Sequence, residues 1–293
     1  MNKKDLHTWC GVPVDDLLDH PDRRVALRLC ADRAEMARLM ATELVEDIRA
    51  AATENRPFRV IVPCGPTGWL EPFCRLVNEQ SVRLRHVEVF HMDECLDWQA
   101  KVLPRAHPYS FRGYMQRHFY DPIRPELAVP EGNRYWLEPD TVDEVLDAIS
   151  AAPIDLTYGG WGQDGHIAYN QARRNALSTV TVDELRTSSV RIQENNVDTV
   201  IALAQRKLGG AYQFVPPMSV TLGVREVLSA RKVRLFSDTG GWKQTALRVA
   251  LFSPQTAEYP ITLLQEHENA LLTATVETAD HPISRHPEWA FDV

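Results

Sequence analysis

The stretch Asp155-Leu-Thr-Tyr-Gly-Gly-Trp-Gly-Gln-Asp-Gly-His-Ile-Ala-Tyr-Asn-Gln171 decides how the rest of the chain is interpreted. It begins as a short apolar run and then becomes rich in glycine, which is typical of a strand that ends in a loop. Glycine allows positive φ angles and a close approach of the backbone to a ligand. The loop presents Asp164 and His166, whose side chains can both face one cleft. A carboxylate beside an imidazole can move protons, although glycine turns and Asp–His surface pairs also occur without any function.

The composition fits a single α/β domain. Of the 293 residues, 44% are hydrophobic and 25% are charged, which is enough for one large core. We expect residues 24–293 to form one domain and residues 1–23 to form an irregular N-terminal extension that packs on the surface or reaches a neighbouring subunit. No apolar run approaches the ~20 residues of a membrane span, and no apolar segment follows the basic start as in a secretory signal. We therefore expect a cytoplasmic protein without a membrane partner.

Net charge and cysteine usage argue against several partners. The net charge of −8 and the pI near 5.7 are unfavourable for a nucleic-acid partner, which requires a basic face. Five scattered cysteines without a C-x-x-C pair predict reduced thiols and no zinc site, and we expect no metal. Cys64 lies beside a glycine loop and is a candidate nucleophile, but a small core residue at a strand end is the more common case.

Strands alternate with helices, which predicts an open, mostly parallel, doubly wound sheet of the Rossmann-like α/β class with helices on both faces. The predicted strands lie at residues 25–30, 58–62, 86–90, 154–158, 219–223, 232–236 and 270–277. In such a sheet, ligands bind outside the carboxyl ends of the strands. The loops that should converge there are 64–68, 91–95, 159–170 and 237–243. The polar segment 172–211 fits no regular pattern and is predicted to be a lid or an insertion.

Two of these loops carry groups that suit an anionic substrate. Pro63-Cys-Gly-Pro-Thr-Gly68 joins a strand to a helix, so it places backbone N–H groups and the Thr67 hydroxyl where a phosphate can sit. It has neither the Lys-Ser/Thr ending of a P-loop nor a dinucleotide fingerprint, so ATP and NAD are not predicted. His91-Met-Asp-Glu-Cys95 brings two adjacent acids to a strand end, where one can enter the cleft while neighbours hold the other.

Together these loops resemble the glucosamine-6-phosphate deaminase/isomerase family, whose relatives include the 6-phosphogluconolactonases. Gly160-Trp-Gly-Gln-Asp-Gly-His-Ile-Ala-Tyr-Asn170 is close to the deaminases' G-x-G-x-D-G-H-I-A-F-N. Met92-Asp-Glu94 and His107-Pro-Tyr-Ser110 match their M-D-E and H-P-x-S, and the likeness spans residues 25–280. The resemblance implies an enzyme that opens an amino-sugar phosphate ring, moves a proton between C2 and C1 and expels ammonia, with neither a metal nor an organic cofactor.

The resemblance also implies a role for each matching residue. Asp93 is expected to take the C2 proton, His166 to work on the ring oxygen and Asp164 to orient His166. The substrate, a small-molecule sugar phosphate, is expected to be held by the glycine turns, one further acid and two basic residues, namely Gly65, Thr67, Gly68, Glu94, Gly160, Gly162, Arg206 and Lys243.

Two departures from the family pattern concern the exact activity. Where the deaminases have a glutamate that completes an Asp-His-Glu set, this chain has Gln171 at the catalytic position. An amide cannot carry the negative charge that holds a histidine's proton, so ring opening should be impaired or unnecessary and Gln171→Glu should increase turnover of a ring-closed substrate. The turn Thr67-Gly-Trp-Leu-Glu-Pro72 replaces the family's T-G-G-T-P, which predicts that Trp69 and Glu71 intrude on the pocket.

Three functions remain open on the sequence alone. The first is a deaminase or aldose–ketose isomerase for a hexose phosphate, supported by Asp93, Asp164 and His166 together. The second is a sugar-phosphate lactonase, which shares the D-G-H loop but needs no C2 base. The third is a catalytically weakened protein that binds a phosphosugar as a sensor or partner, and both Gln171 and the altered phosphate turn keep this alternative open. The sequence does not identify the sugar. It does not decide the oligomeric state either, and a homo-oligomer is one of the open alternatives.

Overall fold

A seven-stranded sheet forms the centre of the computed structural model, which describes residues 1–173, 177, 179–289 and 291. The described strands in chain order are β1 (Ala26–Cys30), β2 (Phe58–Val62), β3 (Val87–His91), β4 (Asp93–Leu96), β5 (Arg134–Tyr135), β6 (Leu156–Gly159), β7 (Arg191–Glu194), β8 (Met218–Thr221), β9 (Lys232–Ser237) and β10 (Ala270–Thr275). The large sheet has the order β1-β10-β9-β6-β2-β3-β5, and all its neighbouring strands are parallel. The predicted doubly wound, Rossmann-like class is confirmed.

Helices cover both faces of this sheet. In the described ranges they are α1 (Lys3–Cys10), α2 (Arg33–Thr53), α3 (Leu70–Glu79), α4 (Phe111–Met115), α5 (Val142–Ala151), α6 (Val182–Arg186), α7 (Val197–Lys207), α8 (Val224–Val227), α9 (Gln244–Phe252), α10 (Val276–Ala279) and α11 (Pro282–Arg285). Val60 and Val62 of β2 pack in the core that contains α2 and α3, whereas Ile61 packs in the core that contains α5 and α9. Successive strand residues point to opposite faces, so this one strand contributes to both cores.

The long helix α2 begins where the sequence predicts. The Asp32 carboxylate accepts a hydrogen bond of 2.7 Å from the N–H of Glu35, so it caps the first turn. Met36, Met40, Leu44 and Ile48 then form one buried stripe with a spacing of four residues. Among the described helices, none is both long and apolar enough to cross a membrane. The cytoplasmic location stays a prediction.

A second, three-stranded sheet with the order β4-β8-β7 corrects one prediction. The predicted strand at residues 219–223 was expected in the parallel sheet, but β8 pairs antiparallel with β4 and β7. A short apolar run does not reveal the direction of its partner, because both kinds of pairing accept such residues. The consequence for the site is direct: β4 begins at Asp93, just beyond the end of β3 at His91, so the chain passes from one sheet to the other at the carboxyl edge.

The N-terminal 23 residues are more ordered than predicted. Residues 3–10 form α1, and Arg248 of α9 donates a hydrogen bond of 2.9 Å to the Val12 carbonyl. Leu17 is fully buried in the core that also contains Ile61. The expectation of an irregular segment is therefore wrong for residues 3–10, and Leu17 adds to the apolar core, although most side chains of residues 1–23 lie at the surface. The division of the chain at residue 23 stays a prediction.

Leu17→Ala tests whether this segment is part of the folding unit. Because it empties a fully buried site, the substitution should lower the free energy of unfolding by about 2–4 kcal/mol. Its neighbour Leu18 is 40% exposed, so Leu18→Ala should change the free energy by less than about 0.5 kcal/mol. Urea unfolding followed by circular dichroism measures both variants. Equal, small effects would show that residues 1–23 do not contribute to the core in solution.

Candidate active site

A cavity of about 710 Å³ lies at the carboxyl edge of the large sheet. Its walls include residues that follow β2, β3 and β6 and residues at the end of β9, so the structure brings the predicted loops together. Nine predicted site residues line it, namely Gly65, Thr67, Gly68, Asp93, Gly160, Gly162, His166, Arg206 and Lys243. Three others, Glu94, Asp164 and Gln171, are not among the lining residues.

Asp164 and His166 form a close pair on the loop after β6. His166 Nδ1 lies 2.7 Å from Asp164 Oδ1, and the His166 N–H donates to the same oxygen at 3.3 Å. Burial alone would raise the pKa of Asp164, but the charge of His166 and the hydrogen bonds lower it to about 2. The Asp164 side chain has no exposed surface, whereas 18% of His166 is exposed. Asp164 therefore supports His166 from behind, and His166 presents its ring to the cavity.

The glycines of this loop are required by packing within the protein. A Cβ atom on Gly162 would lie 2.2 Å from His166 Cε1 and 2.6 Å from Asp164 Oδ1, which is far closer than atoms approach. A Cβ atom on Gly160 would lie 3.2 Å from the Gly65 carbonyl oxygen on the neighbouring loop. Gly162 thus makes room for the His166 ring, and Gly160 lets two strand-end loops meet.

Asp93 and Glu94 point to opposite sides of β4. Asp93 lines the cavity, and burial together with the charge of Glu94 raises its pKa to about 7, although His166 opposes this shift. Glu94 accepts hydrogen bonds of 2.7 Å from the N–H groups of both Phe111 and Arg112, at the start of α4. The predicted contact of Glu94 with a substrate is therefore corrected, because its carboxylate satisfies the N–H groups of a helix end instead.

The two predicted basic residues also line the cavity. Arg206 Cζ lies 4.6 Å and Lys243 Nζ lies 5.5 Å from the centre of the Trp242 ring. Burial and the positive charge of Arg206 lower the pKa of Lys243 to about 8, and the negative charges of Asp238 and Asp164 oppose that shift. Because two cations are crowded here, an anion that bound between them would be stabilised by both.

The turn after β2 lies next to the segment that carries Lys243. A Cβ atom on Gly68 would lie 3.7 Å from Asp238 Oδ2, so the turn is in contact with the segment that leads to Lys243. Arg33, at the start of α2, also lines the cavity. We refer to the turn and the two predicted basic residues together as the anion pocket, which consists of Thr67, Gly68, Arg206 and Lys243.

Gln171 is buried but does not contribute to the cavity wall. Its Nε2 donates to the Glu194 carbonyl at 3.2 Å, and its Oε1 accepts from the Asn196 N–H at 2.9 Å. The amide is therefore bonded to the segment that leads into α7. These bonds run to that segment and not to His166, and the catalytic role of Gln171 stays a prediction.

Trp69 does not intrude on the cavity. It is fully buried, packs edge-on against Phe73 and Tyr158, and donates a hydrogen bond of 3.0 Å to the Pro66 carbonyl. The side chain of Glu71 is 79% exposed. The predicted intrusion of both residues is therefore wrong, because the backbone direction at the start of α3 turns Trp69 into the core and Glu71 into solvent.

Cys64 lines the cavity as a neutral thiol. Burial and the negative charges of Asp93 and Glu94 raise its pKa well above the usual range, and a neutral thiol is a poor nucleophile. Within the part of the chain that the structure describes, no group of three or more His, Cys, Asp or Glu side chains is placed to hold a metal ion. The described groups instead combine proton-transfer side chains with cations in the lining of one cavity.

The cavity also contains residues that the sequence prediction missed. Tyr169 stacks on His166 with 5.8 Å between the ring centres. Besides the predicted Arg206, helix α7 contributes residues to one wall at a spacing of three or four positions, namely Thr199, Ala202, Leu203 and Lys207. That spacing was the available signal, since such residues lie on one helix face. Helix α7 lies within residues 172–211, the segment predicted to be a lid or an insertion. Residues 174–176 and 178 of that segment lie outside the described residues.

Comparison with known proteins identifies the family. Residues 31–273 match the sequence model of the family described as glucosamine-6-phosphate isomerases/6-phosphogluconolactonase. The chain belongs to this family. The resemblance predicted from the sequence motifs is therefore confirmed.

Individual relatives agree with this assignment. The chain is 31% identical over 249 residues to the glucosamine-6-phosphate deaminase of Porphyromonas gingivalis, covering 82% of this chain and 88% of the relative. It is also 31% identical over 244 residues to the glucosamine-6-phosphate deaminase of Parabacteroides distasonis, covering 81% and 84%.

Solved structures of the family share the fold. A monomeric glucosamine-6-phosphate deaminase superimposes with a TM-score of 0.73 at 18% identity, covering 87% of this chain and 98% of that one. The 6-phosphogluconolactonase of Thermotoga maritima superimposes with a TM-score of 0.61 at 15% identity, covering 85% and 99%. At these identities, the likeness concerns the fold alone.

The raised pKa of Asp93 predicts that Asp93→Asn stabilises this family member at high pH. A carboxyl group whose pKa rises from 3.8 to about 7 on folding holds its proton more tightly in the folded state. Wild-type stability therefore falls as the pH rises from about 4 to about 7, and the uncharged amide avoids that loss. Urea unfolding should show a gain of about 1–3 kcal/mol at pH 8 and none at pH 4. A variant that is less stable than wild type at pH 8 would contradict the assignment of this pKa shift.

Proposed function

We propose that this protein is a sugar-phosphate deaminase/aldose–ketose isomerase that converts an amino-hexose 6-phosphate to a ketose 6-phosphate and ammonia by enolisation at C2. The observation that carries the proposal is that Asp93, the Asp164–His166 pair and the anion pocket meet in one cavity. The two relatives named as glucosamine-6-phosphate deaminases, each 31% identical, support it.

Asp93 is the base in this proposal. A carboxyl group with a pKa of about 7 is poised both to take a proton and to return it near neutral pH. The C2–H bond of the open-chain aldose breaks and its proton passes to Asp93, while the C2–H electron pair forms the C1–C2 double bond. The π electrons of the C1=O bond move to O1, which takes a proton from the 2-ammonium group of the substrate. Asp93 then returns the proton to C1, which leaves an iminium at C2. Water adds to C2, and ammonia leaves to give the ketose.

His166 serves the ring-opening step. Its ring lies in the cavity and is oriented by Asp164 at 2.7 Å. The imidazole takes the proton of the C1 hydroxyl and gives a proton to the ring oxygen as the C1–O5 bond breaks. A negative charge beside the ring stabilises the imidazolium that forms between these two transfers.

The anion pocket holds the 6-phosphate in this proposal. Arg206 offers a planar, permanently charged donor set, and Lys243 offers a compact positive charge. Trp242 contacts both cations, which restricts the positions that their long side chains can take. A phosphate fixed there leaves C1 and C2 to reach the proton-transfer groups of the same cavity.

Proton exchange at C2 is the decisive test. In deuterated water, NMR should show exchange on at least one member of a panel of hexose 6-phosphates with and without a 2-amino group. Asp93→Asn should abolish the exchange, while Asp140→Asn should retain it, because Asp140 is exposed and lies outside the cavity. Exchange that persisted in Asp93→Asn would rule out Asp93 as the base.

The pKa of Asp93 also predicts the pH dependence of the reaction. The base must be ionised to take a proton, and its pKa in the free protein is about 7. kcat/KM should therefore fall about tenfold per pH unit well below 7, and it should also fall above about pH 8, where Lys243 of the anion pocket loses its positive charge. Initial rates of ammonia release between pH 5 and 9 measure this profile. A profile that stays flat down to pH 5 would contradict the role of Asp93.

A sugar-phosphate lactonase is the second candidate. It is favoured by the solved 6-phosphogluconolactonases that share this fold, and lactone hydrolysis needs no C2 base. Hydrolysis of a phosphogluconolactone that survives Asp93→Asn would select this function. Tight binding of a sugar phosphate without any turnover would instead select a phosphosugar-binding protein.

A further inference from the structure

We propose that Gln171 is a positioning residue whose amide holds the first turn of α7 against the cavity, so that Arg206 reaches the anion pocket. This inference builds on the proposed function where it concerns the affinity for a sugar phosphate. It assigns to position 171 a role different from the one that the family resemblance implies, since the contacts of the side chain lie on the segment that leads into α7 and on the first turn of that helix.

The contacts of Gln171 converge on the start of α7. Its Oε1 accepts from the N–H of Asn196 at 2.9 Å and from Thr199 Oγ1 at 3.4 Å, and its Nε2 donates to the Glu194 carbonyl at 3.2 Å. Asn196 is the residue that precedes the first turn of α7. Its own side chain donates to the Ala172 carbonyl at 2.8 Å, so the two segments are bonded in both directions. Gln171 is 4% exposed, and these bonds are shielded from water.

The position of α7 decides where Arg206 lies. Arg206 is ten residues beyond Asn196, which corresponds to about 15 Å along a helix. Two other bonds hold the end of the helix that carries Arg206, from the Tyr109 hydroxyl to the Leu203 carbonyl at 2.9 Å and from Lys207 Nζ to the Pro108 carbonyl at 3.1 Å. The bonds of Gln171 hold the opposite end, so the direction of the helix axis, and with it the direction in which Arg206 enters the cavity, depends on both anchors. A small error in that direction is enough to disturb a charged contact.

These contacts require an amide at position 171. Gln171 donates one hydrogen bond and accepts others, whereas an ionised glutamate can only accept. In Gln171→Glu a carboxylate oxygen would replace Nε2 and would face the Glu194 carbonyl oxygen. Both atoms are acceptors, so no hydrogen bond could form between them. Gln171→Glu should therefore loosen α7, which is opposite to the gain in turnover expected if the residue acted on His166. A buried polar group that loses its hydrogen bond lowers the stability of the fold by more than the bond itself contributes to it.

Steady-state kinetics with glucosamine 6-phosphate separate the two roles. For Gln171→Glu we expect KM to rise about three- to tenfold, as the loss of one or two buried hydrogen bonds implies. We expect kcat and the midpoint of its pH profile to stay within about twofold of wild type. Gln205→Glu is the matched control, because it makes the same change at an exposed position of α7 outside the cavity wall, and it should leave both constants unchanged. A higher kcat with a displaced pH profile and an unchanged KM would overturn the proposal.

Hydrogen exchange tests whether Gln171 holds the start of α7, and this test needs no turnover of a substrate. In the ligand-free protein, Gln171→Glu should accelerate exchange of the Asn196 amide and of the amides in the body of α7 by at least about tenfold, while the β2 amides stay protected. Gln171→Met removes the same bonds without adding a charge and should show the same pattern, which covers the case that Gln171→Glu does not fold. Unchanged exchange in α7 would overturn the positioning role. Because this readout needs no substrate, it stays valid even if no sugar phosphate is turned over, which would refute the proposed function alone.

Discussion

The contact between Asp164 and His166 is the interaction on which the rest of the cavity depends. The carboxylate is fully buried and lies 2.7 Å from the imidazole, and a buried charge is tolerated only where a partner offsets its loss of water. Residue 162 has to be glycine, because a Cβ atom there would clash with both members of this pair. The charges of this pair also affect other side chains of the cavity. His166 opposes the rise in the pKa of Asp93, and Asp164 opposes the fall in the pKa of Lys243. Asp93 and Lys243 are thus electrostatically linked through one pair.

The parts of the fold that local chemistry controls were predictable. The Asp32 cap fixed the start of α2, and the apolar run 58–62 fixed a strand that is buried on both faces. The second sheet was not predictable in the same way. A four-residue strand such as β8 has the same residue preferences in either sheet, and only its partners, β4 and β7, decide where it lies. The ordered N-terminal segment was missed because one buried leucine, Leu17, has no periodic neighbours to mark it.

A similar division applies to the candidate site. Residues on strand-end loops, such as Asp93 and His166, were predictable because a parallel sheet brings all such loops to one edge. The direction of a side chain was harder to predict. Glu94 belongs to a matched motif, whereas Trp69 and Gln171 stand where the chain departs from the family pattern. Their side chains point to α4, to the core and to the segment that leads into α7, respectively. Their directions depend on tertiary partners that lie far away in the chain, and a motif match carries no record of those partners.

The directions of these side chains also explain how two adjacent acids can be buried in one strand. Burial raises the pKa of Asp93 and of Glu94 to about 7 in each case, so the pair resists full ionisation. Glu94 receives three backbone N–H groups, which favour its charged form, from Cys95, Phe111 and Arg112. Asp93 has only the more distant charge of His166 to oppose its shift. The two carboxyl groups therefore titrate in the same pH range, and Asp93, which lines the cavity, is the one placed to exchange its proton with the contents of the cavity.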